Sequence, residues 1–242
     1  MVLCTFCCLL HVCTYTGKSS FLLETVKDNS NHFVKKITKV IYFYRQECRA
    51  VTELKQYLSQ ESEIKGLFLK KIPENNFIES LGIEKGSTCI IFDDFHIQAL
   101  SSEPLREILL NLSSIWNHHY EIVTFYVAQQ YDMFLKSSKL NGLLVNSTHI
   151  VLWRSNHDVK SIKRNLDRYF VKLKGDLTLW KIFERYVQSE QFKFLLICVS
   201  PLCRRPSVWM NTLMSSDDQV LSFHESDSDT DEQEQSEGAE AR

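Results

Sequence analysis

The chain has 242 residues, 44% of them hydrophobic, which suits one large α/β domain and excludes a largely disordered chain. Its net charge of −2 is unevenly placed: residues 217–242 carry ten Asp/Glu against Arg242 alone, a net of −9, which leaves +7 on residues 1–216. The eight Cys are not spaced as a disulfide framework, so a reducing, intracellular setting is expected and a secreted stapled scaffold is not.

The apolar start "MVLCTFCCLLHVC" lacks a basic leader and a small-residue cleavage site, so it reads as a buried strand over 2–12 and not as a signal peptide. Cys4, Cys7, His11 and Cys13 are packed too tightly in this apolar segment for good zinc geometry. A loop and a helix over 18–27 follow. "KVIYFYR", 39–45, is β-branched and aromatic and reads as a second strand. Val51, Leu54 and Leu58 have helical spacing within 48–58, and Pro73 opens a short helix reaching about Leu81. "TCIIFDDF", 88–95, reads as an apolar strand ending in two carboxylates. A helix over 103–116 carries Pro104 in its first turn. Further strands are expected at 121–130, 148–154 and 192–200, with helices from Ser155 or Asn156 to about Phe170 and over 177–188.

Strands that are apolar on both faces and alternate with helices predict a three-layer α/β fold with a mainly parallel sheet. One domain is expected over 1–214. From about Ser215 the acidic tail, 215–242, is expected to be disordered, because its charge leaves too little apolar surface to offset chain entropy. No stretch reaches the length of a membrane span, so no membrane partner is expected.

Three short stretches bear on chemistry. Gly17-Lys18-Ser19-Ser20 lies between an apolar strand and a helix, the setting in which loop amides and a helix N-terminus face phosphate oxygens. Thr14, Thr16, Gly17, Lys18, Ser19 and Ser20 are then the nucleotide-binding candidates. Lys18 is expected to reach the β- and γ-phosphates of ATP and Ser19 to ligate Mg²⁺. Asp93-Asp94 ends "IIFDD", 75 residues after Lys18. Asp93 is the second Mg²⁺ candidate, and Asp94 the residue that would orient or deprotonate the attacking water. Gln129 ends the strand "EIVTFYVAQ"; in a parallel sheet it would share the strand-end rim with Lys18 and Asp93 and position water or sense the γ-phosphate.

With these residues in view, the chain resembles the FtsK–HerA-type DNA-packaging ATPases of poxvirus-like and Polinton/Maverick or adintovirus-like elements. The resemblance covers about residues 10–205. It rests on "KVIYFYR", "IIFDDF", "NHHYEIVTFYVAQQYDMF" with His118-His119, "LLVNSTHIVLWRSNHDVKSIKRNLDRYF" and "FKFLLICVSP". It implies a RecA-like P-loop NTPase that forms homo-oligomeric rings and moves double-stranded DNA with ATP and Mg²⁺. The chain departs from the pattern where Val12 and Tyr15 replace loop glycines, and where Asn141, with Lys139 near it, occupies the place of an arginine. Glycine permits positive φ and close phosphate approach, and lysine cannot reproduce arginine's planar fork. These departures predict slow hydrolysis, and they leave a second expectation open: a binding or assembly subunit that retains the ancestral fold.

Overall fold

The computed structural model describes residues 7–11, 18–27, 35–60, 63–128, 134, 137–154, 159–169, 178–188, 193–198, 207–212 and 221–224. Among the described residues nine strands are formed: β1 (Cys7–His11), β2 (Lys39–Tyr44), β3 (Lys65–Leu69), β4 (Thr88–Asp93), β5 (Val123–Ala128), β6 (His149–Trp153), β7 (Lys193–Cys198), β8 (Ser207–Thr212) and β9 (Leu221–His224). They make one sheet in the order β3-β2-β4-β5-β1-β6-β7-β8-β9. From β3 to β6 every pairing is parallel; β7, β8 and β9 are added antiparallel.

The parallel strands follow from their composition. In β4, β5 and β6 every residue is buried, and in β2 only Lys39 is not. A strand buried on both sides needs a helix layer on each face. Side-chain alternation divides the core accordingly. Val40, Tyr42, Cys89, Ile91, Val151 and Trp153 belong to one apolar cluster, with Leu22, Leu23 and Val26 of helix α1 (Lys18–Lys27) and Val51, Leu54 and Leu58 of α2 (Arg49–Gln60). Ile41, Phe43, Ile90, Phe92, Ile150 and Leu152 belong to the other. That face is covered by α3 (Phe77–Ser80), α4 (His96–Ser101), α5 (Glu103–Asn111), α6 (Asn117–Tyr120), α7 (Asn141–Val145), α8 (Val159–Tyr169) and α9 (Leu179–Ile182). The result is the expected three-layer α/β fold. Cys89 is fully buried and packs as the small hydrophobe its apolar run implied. No helix among the described residues is long and apolar enough to cross a membrane.

Several elements differ from their expected extents for identifiable reasons. The strand expected over 88–95 stops at Asp93 because Asp94 is left-handed, with φ 62°. The strand expected over 121–130 begins at Val123, after Glu121 (φ 52°) closes α6. Leu105, Ile108 and Leu109 give α5 its buried stripe, and a π-helical turn at Leu112–Trp116, with Leu112 buried, carries the chain on into α6, past the expected end at Trp116. Ser102 caps α5 by accepting from Leu105 N at 3.3 Å, ahead of Pro104. Strands β3, β8 and β9 are additional to the expected elements. The expected limit of the globular body, residue 214, falls between β8 and β9. Within the stretch expected as tail, Leu221–Met210 and His224–Ser207 are backbone partners. "QVLSFH" holds Val220, Leu221 and Phe223, enough apolar character for an edge strand. Residues 225–242 lie outside the described residues.

One buried group makes stability pH-dependent. His149 opens β6 at 8% exposure, and burial depresses its pKa from 6.5 to about 4. In the fold the ring stays neutral, while the unfolded chain takes up a proton as pH falls below 6.5. The unfolded state thus binds more protons between about pH 6.5 and 4, and stability drops as pH falls through that window. A depression of this size corresponds to on the order of 3 kcal/mol. Urea midpoints measured across that window should fall more steeply for the wild type than for His149→Gln; parallel curves would contradict this.

Candidate nucleotide site

Because β1, β4 and β5 are parallel, their carboxyl ends lie on one edge of the sheet. Their ends are also level: His11 is opposite Ala128, and Asp93 is opposite Val127. The chain leaves β1 at this edge and returns as α1, whose first turn begins Lys18-Ser19-Ser20. Asp93 ends β4 two strands away, with β5 between. Two interstrand spacings are about 10 Å, a gap that a metal-bound polyphosphate can bridge. Asp93 also shares a sheet face with α1. It alternates with Cys89 and Ile91, which pack in the cluster that holds Leu22 and Val26 of α1.

Asp93 is 8% exposed, and its Oδ2 accepts a hydrogen bond from the Tyr42 hydroxyl at 3.1 Å. Tyr42 lies opposite Ile91, so Asp93, two residues on, is its diagonal neighbour on the same face. Burial, and then the adjacent Asp93 carboxylate, push the Tyr42 phenol well above its usual pKa, so the hydroxyl keeps its proton and donates. Nothing in "KVIYFYR" marks this tyrosine apart from its neighbours. Only the parallel register brings it to the carboxylate.

Asp94 is half-buried, and its N–H donates to Val127 O at 3.1 Å, tying the end of β4 to β5. Its left-handed backbone is a conformation that costs an L-residue about 1–2 kcal/mol, and such cost concentrates at functional positions. Asp94→Gly is therefore expected to be more stable than Asp94→Ala by about 1 kcal/mol in urea unfolding. Equal midpoints would show that the turn carries no strain.

Of the expected site residues, Lys18, Ser19 and Ser20 occupy the start of α1, and Asp93 and Asp94 stand at the end of β4. Thr14, Thr16 and Gly17, with Val12 and Tyr15, lie outside the described residues, as does Gln129, which directly follows the last residue of β5. Asn141 begins α7, and Lys139 is exposed just before it. No three His, Cys, Asp or Glu side chains gather as a metal site among the described residues. Among the described residues, Asp93 and Asp94 bring carboxylates to the rim. Such a sparse, hard oxygen set suits Mg²⁺, which keeps waters and takes phosphate oxygens as its other ligands.

A separate groove of about 380 Å³ lies on the helix layer of the opposite face, lined by Glu74, Phe77, Glu79, Glu107, Trp116 and Tyr120 among others. Three carboxylates make it a poor place for phosphate, and it is not the rim described above.

Fold and rim together define a class: a three-layer α/β chain with a mainly parallel sheet, as the sequence led us to expect. In it the strand before Gly17-Lys18-Ser19 is central, and one strand separates it from the strand ending in Asp93. No family model matches the sequence, and no curated protein matches it. Among solved structures, the chain is similar to the KaiC-like protein PH0186 from the hyperthermophilic archaeon Pyrococcus horikoshii OT3. That match has 13% identity and a TM-score of 0.45, over 91% of this chain and 85% of that one. It is similar also to the cytoplasmic domain of EssC, at 14% identity and a TM-score of 0.38, over 57% of this chain and 30% of that one. The strand order itself carries the assignment of class.

Proposed function

We propose that this chain is an intracellular ATP-binding subunit of a DNA-translocating assembly of the FtsK–HerA packaging type, with slow intrinsic hydrolysis. One observation carries the nucleotide reading. The strand that leads to Lys18-Ser19 and the strand that ends at Asp93 meet one edge of a parallel sheet, with a single strand between them. In this reading Thr14, Thr16, Gly17 and Ser20 surround the phosphates, and Lys18 neutralises charge at the β- and γ-positions. Ser19 and Asp93 would hold Mg²⁺, which when bound screens the phosphate oxygens and orients them for in-line attack. Asp94 and Gln129 address the attacking water. Double-stranded DNA as partner and assembly into a homo-oligomeric ring follow from the resemblance of residues 10–205 to virus-like and transposon-borne packaging ATPases, and the +7 charge of the body suits a polyanion. A second reading, a binding or assembly subunit that turns over little ATP, is favoured by Val12 and Tyr15 where loop glycines belong.

The test is a titration of a fluorescent ATP analogue with Mg²⁺ and with EDTA, followed by hydrolysis assays with and without duplex DNA. Binding that requires Mg²⁺ supports the site. Its absence at millimolar nucleotide would overturn it. DNA-stimulated turnover selects the motor, and metal-dependent binding without turnover selects the assembly subunit.

A further inference from the structure

We propose that Tyr42 is the positioning residue of this site: its hydroxyl fixes the orientation of the Asp93 carboxylate and so sets how tightly the metal is held. The inference rests on the nucleotide reading above and names a residue outside the motifs that led to it.

Tyr42 is held on every side. It is 2% exposed and sits in β2, between β3 and β4. Its ring stacks on Phe68 of β3 with centroids 6.0 Å apart and planes 19° apart, and meets the Tyr44 ring edge-on at 6.4 Å. Tyr44 is anchored in turn. Lys55 of α2 donates to its hydroxyl at 3.1 Å and lies 4.7 Å from its ring centre, while bonding Glu47 at 2.5 Å. The aromatic body of Tyr42 is thus accounted for by packing, which a phenylalanine would satisfy equally. The hydroxyl adds a buried bond to Asp93 Oδ2. A hydrogen bond to a charged oxygen is short-range and directional, so holding Oδ2 fixes the orientation of the carboxylate plane. Groups that orient a metal's ligands in this way typically change metal affinity about 10- to 100-fold when removed.

The experiment measures the Mg²⁺ and Mn²⁺ concentrations that half-saturate binding of a fluorescent ATP analogue, for the wild type, Tyr42→Phe, Asp93→Asn and the double variant. Urea unfolding without ligand is recorded for each. Tyr42→Phe is expected to raise the half-saturating Mg²⁺ by about tenfold or more, while leaving nucleotide binding in EDTA unchanged. In the Asp93→Asn background the same change should have no further effect on the metal dependence. An unchanged half-saturation point in a folded Tyr42→Phe protein overturns the inference and leaves the nucleotide site standing. So does an equal shift in the Asp93→Asn background, which would mark a general structural effect. A wild type without metal-dependent binding overturns the site reading, and this inference with it.

Discussion

Replacing Phe92 with alanine is expected to destabilise the protein by about 3–5 kcal/mol, read as a fall in the urea midpoint at unchanged slope. Phe92 is the middle ring of three that lie side by side across adjacent strands. Parallel register puts it opposite both Phe43 of β2 and Tyr126 of β5. The ring centres are 5.0 Å and 5.6 Å away, with planes 8° and 10° apart. Phe95 adds an edge-on contact at 6.4 Å, and the Tyr126 hydroxyl is itself fixed by donating to Leu109 O at 2.8 Å. Truncation here opens a hole walled by hydrogen-bonded strands and anchored rings, which cannot collapse cheaply. Phe92→Leu, which keeps most of the volume, should cost less than half as much. A loss under about 1 kcal/mol for alanine would mean that this row of rings does not organise the core.

Lys18→Ala is expected to weaken Mg²⁺-dependent ATP binding by about 10- to 100-fold, the range for removing a hydrogen bond to a charged group. Lys18 starts α1, the helix that follows the central strand β1. Lys18→Arg should rescue poorly, because a planar fork on a longer stem does not reproduce a compact point charge. Asp93→Asn should remove the dependence on Mg²⁺ and leave residual metal-free binding. Isothermal titration with ATP, with and without Mg²⁺, separates the two effects. Unchanged affinity in Lys18→Ala would make Gly17-Lys18-Ser19 an ordinary turn before a helix. The paired change Val12→Gly, Tyr15→Gly is expected to act in the opposite sense, raising affinity by restoring the glycine conformations of the loop.

Sequence and structure agree most closely where burial is complete. The strands at Lys39–Tyr44, Thr88–Asp93 and His149–Trp153 are continuous apolar runs, and the centre of the sheet demands such runs. Strand β3, "KGLFL", escaped notice because it is an edge strand. No residue in it is fully buried, it carries Gly66 and Lys65, and its partners are on one side only. The antiparallel turn of the sheet at β7 was equally hidden, since "FKFLLICVS" is as apolar as any parallel strand and its direction is set by connections and not by composition. At the site, the carboxylates were legible as a strand end. Their surroundings were not. The hydroxyl of Tyr42 reaches Asp93 through register across 51 residues of sequence, and the left-handed turn at Asp94 falls on a residue type that tolerates it without announcing it.

The central position of β1 has a consequence for the order of events at the ribosome. Of the described strands it is made before the others, yet its two neighbours in the sheet are β5 and β6, ending at Ala128 and Trp153. At roughly 5–20 residues per second, the apolar segment Cys7–His11 waits roughly 7–28 s before both partners have been synthesised. Through that interval β2, β3 and β4 can pair among themselves, while the slot for β1 does not yet exist. The candidate rim, which needs β1 beside β5, therefore cannot form until β5 has been made. Until then, the apolar segment Cys7–His11 is a ready target for chaperones and for aggregation.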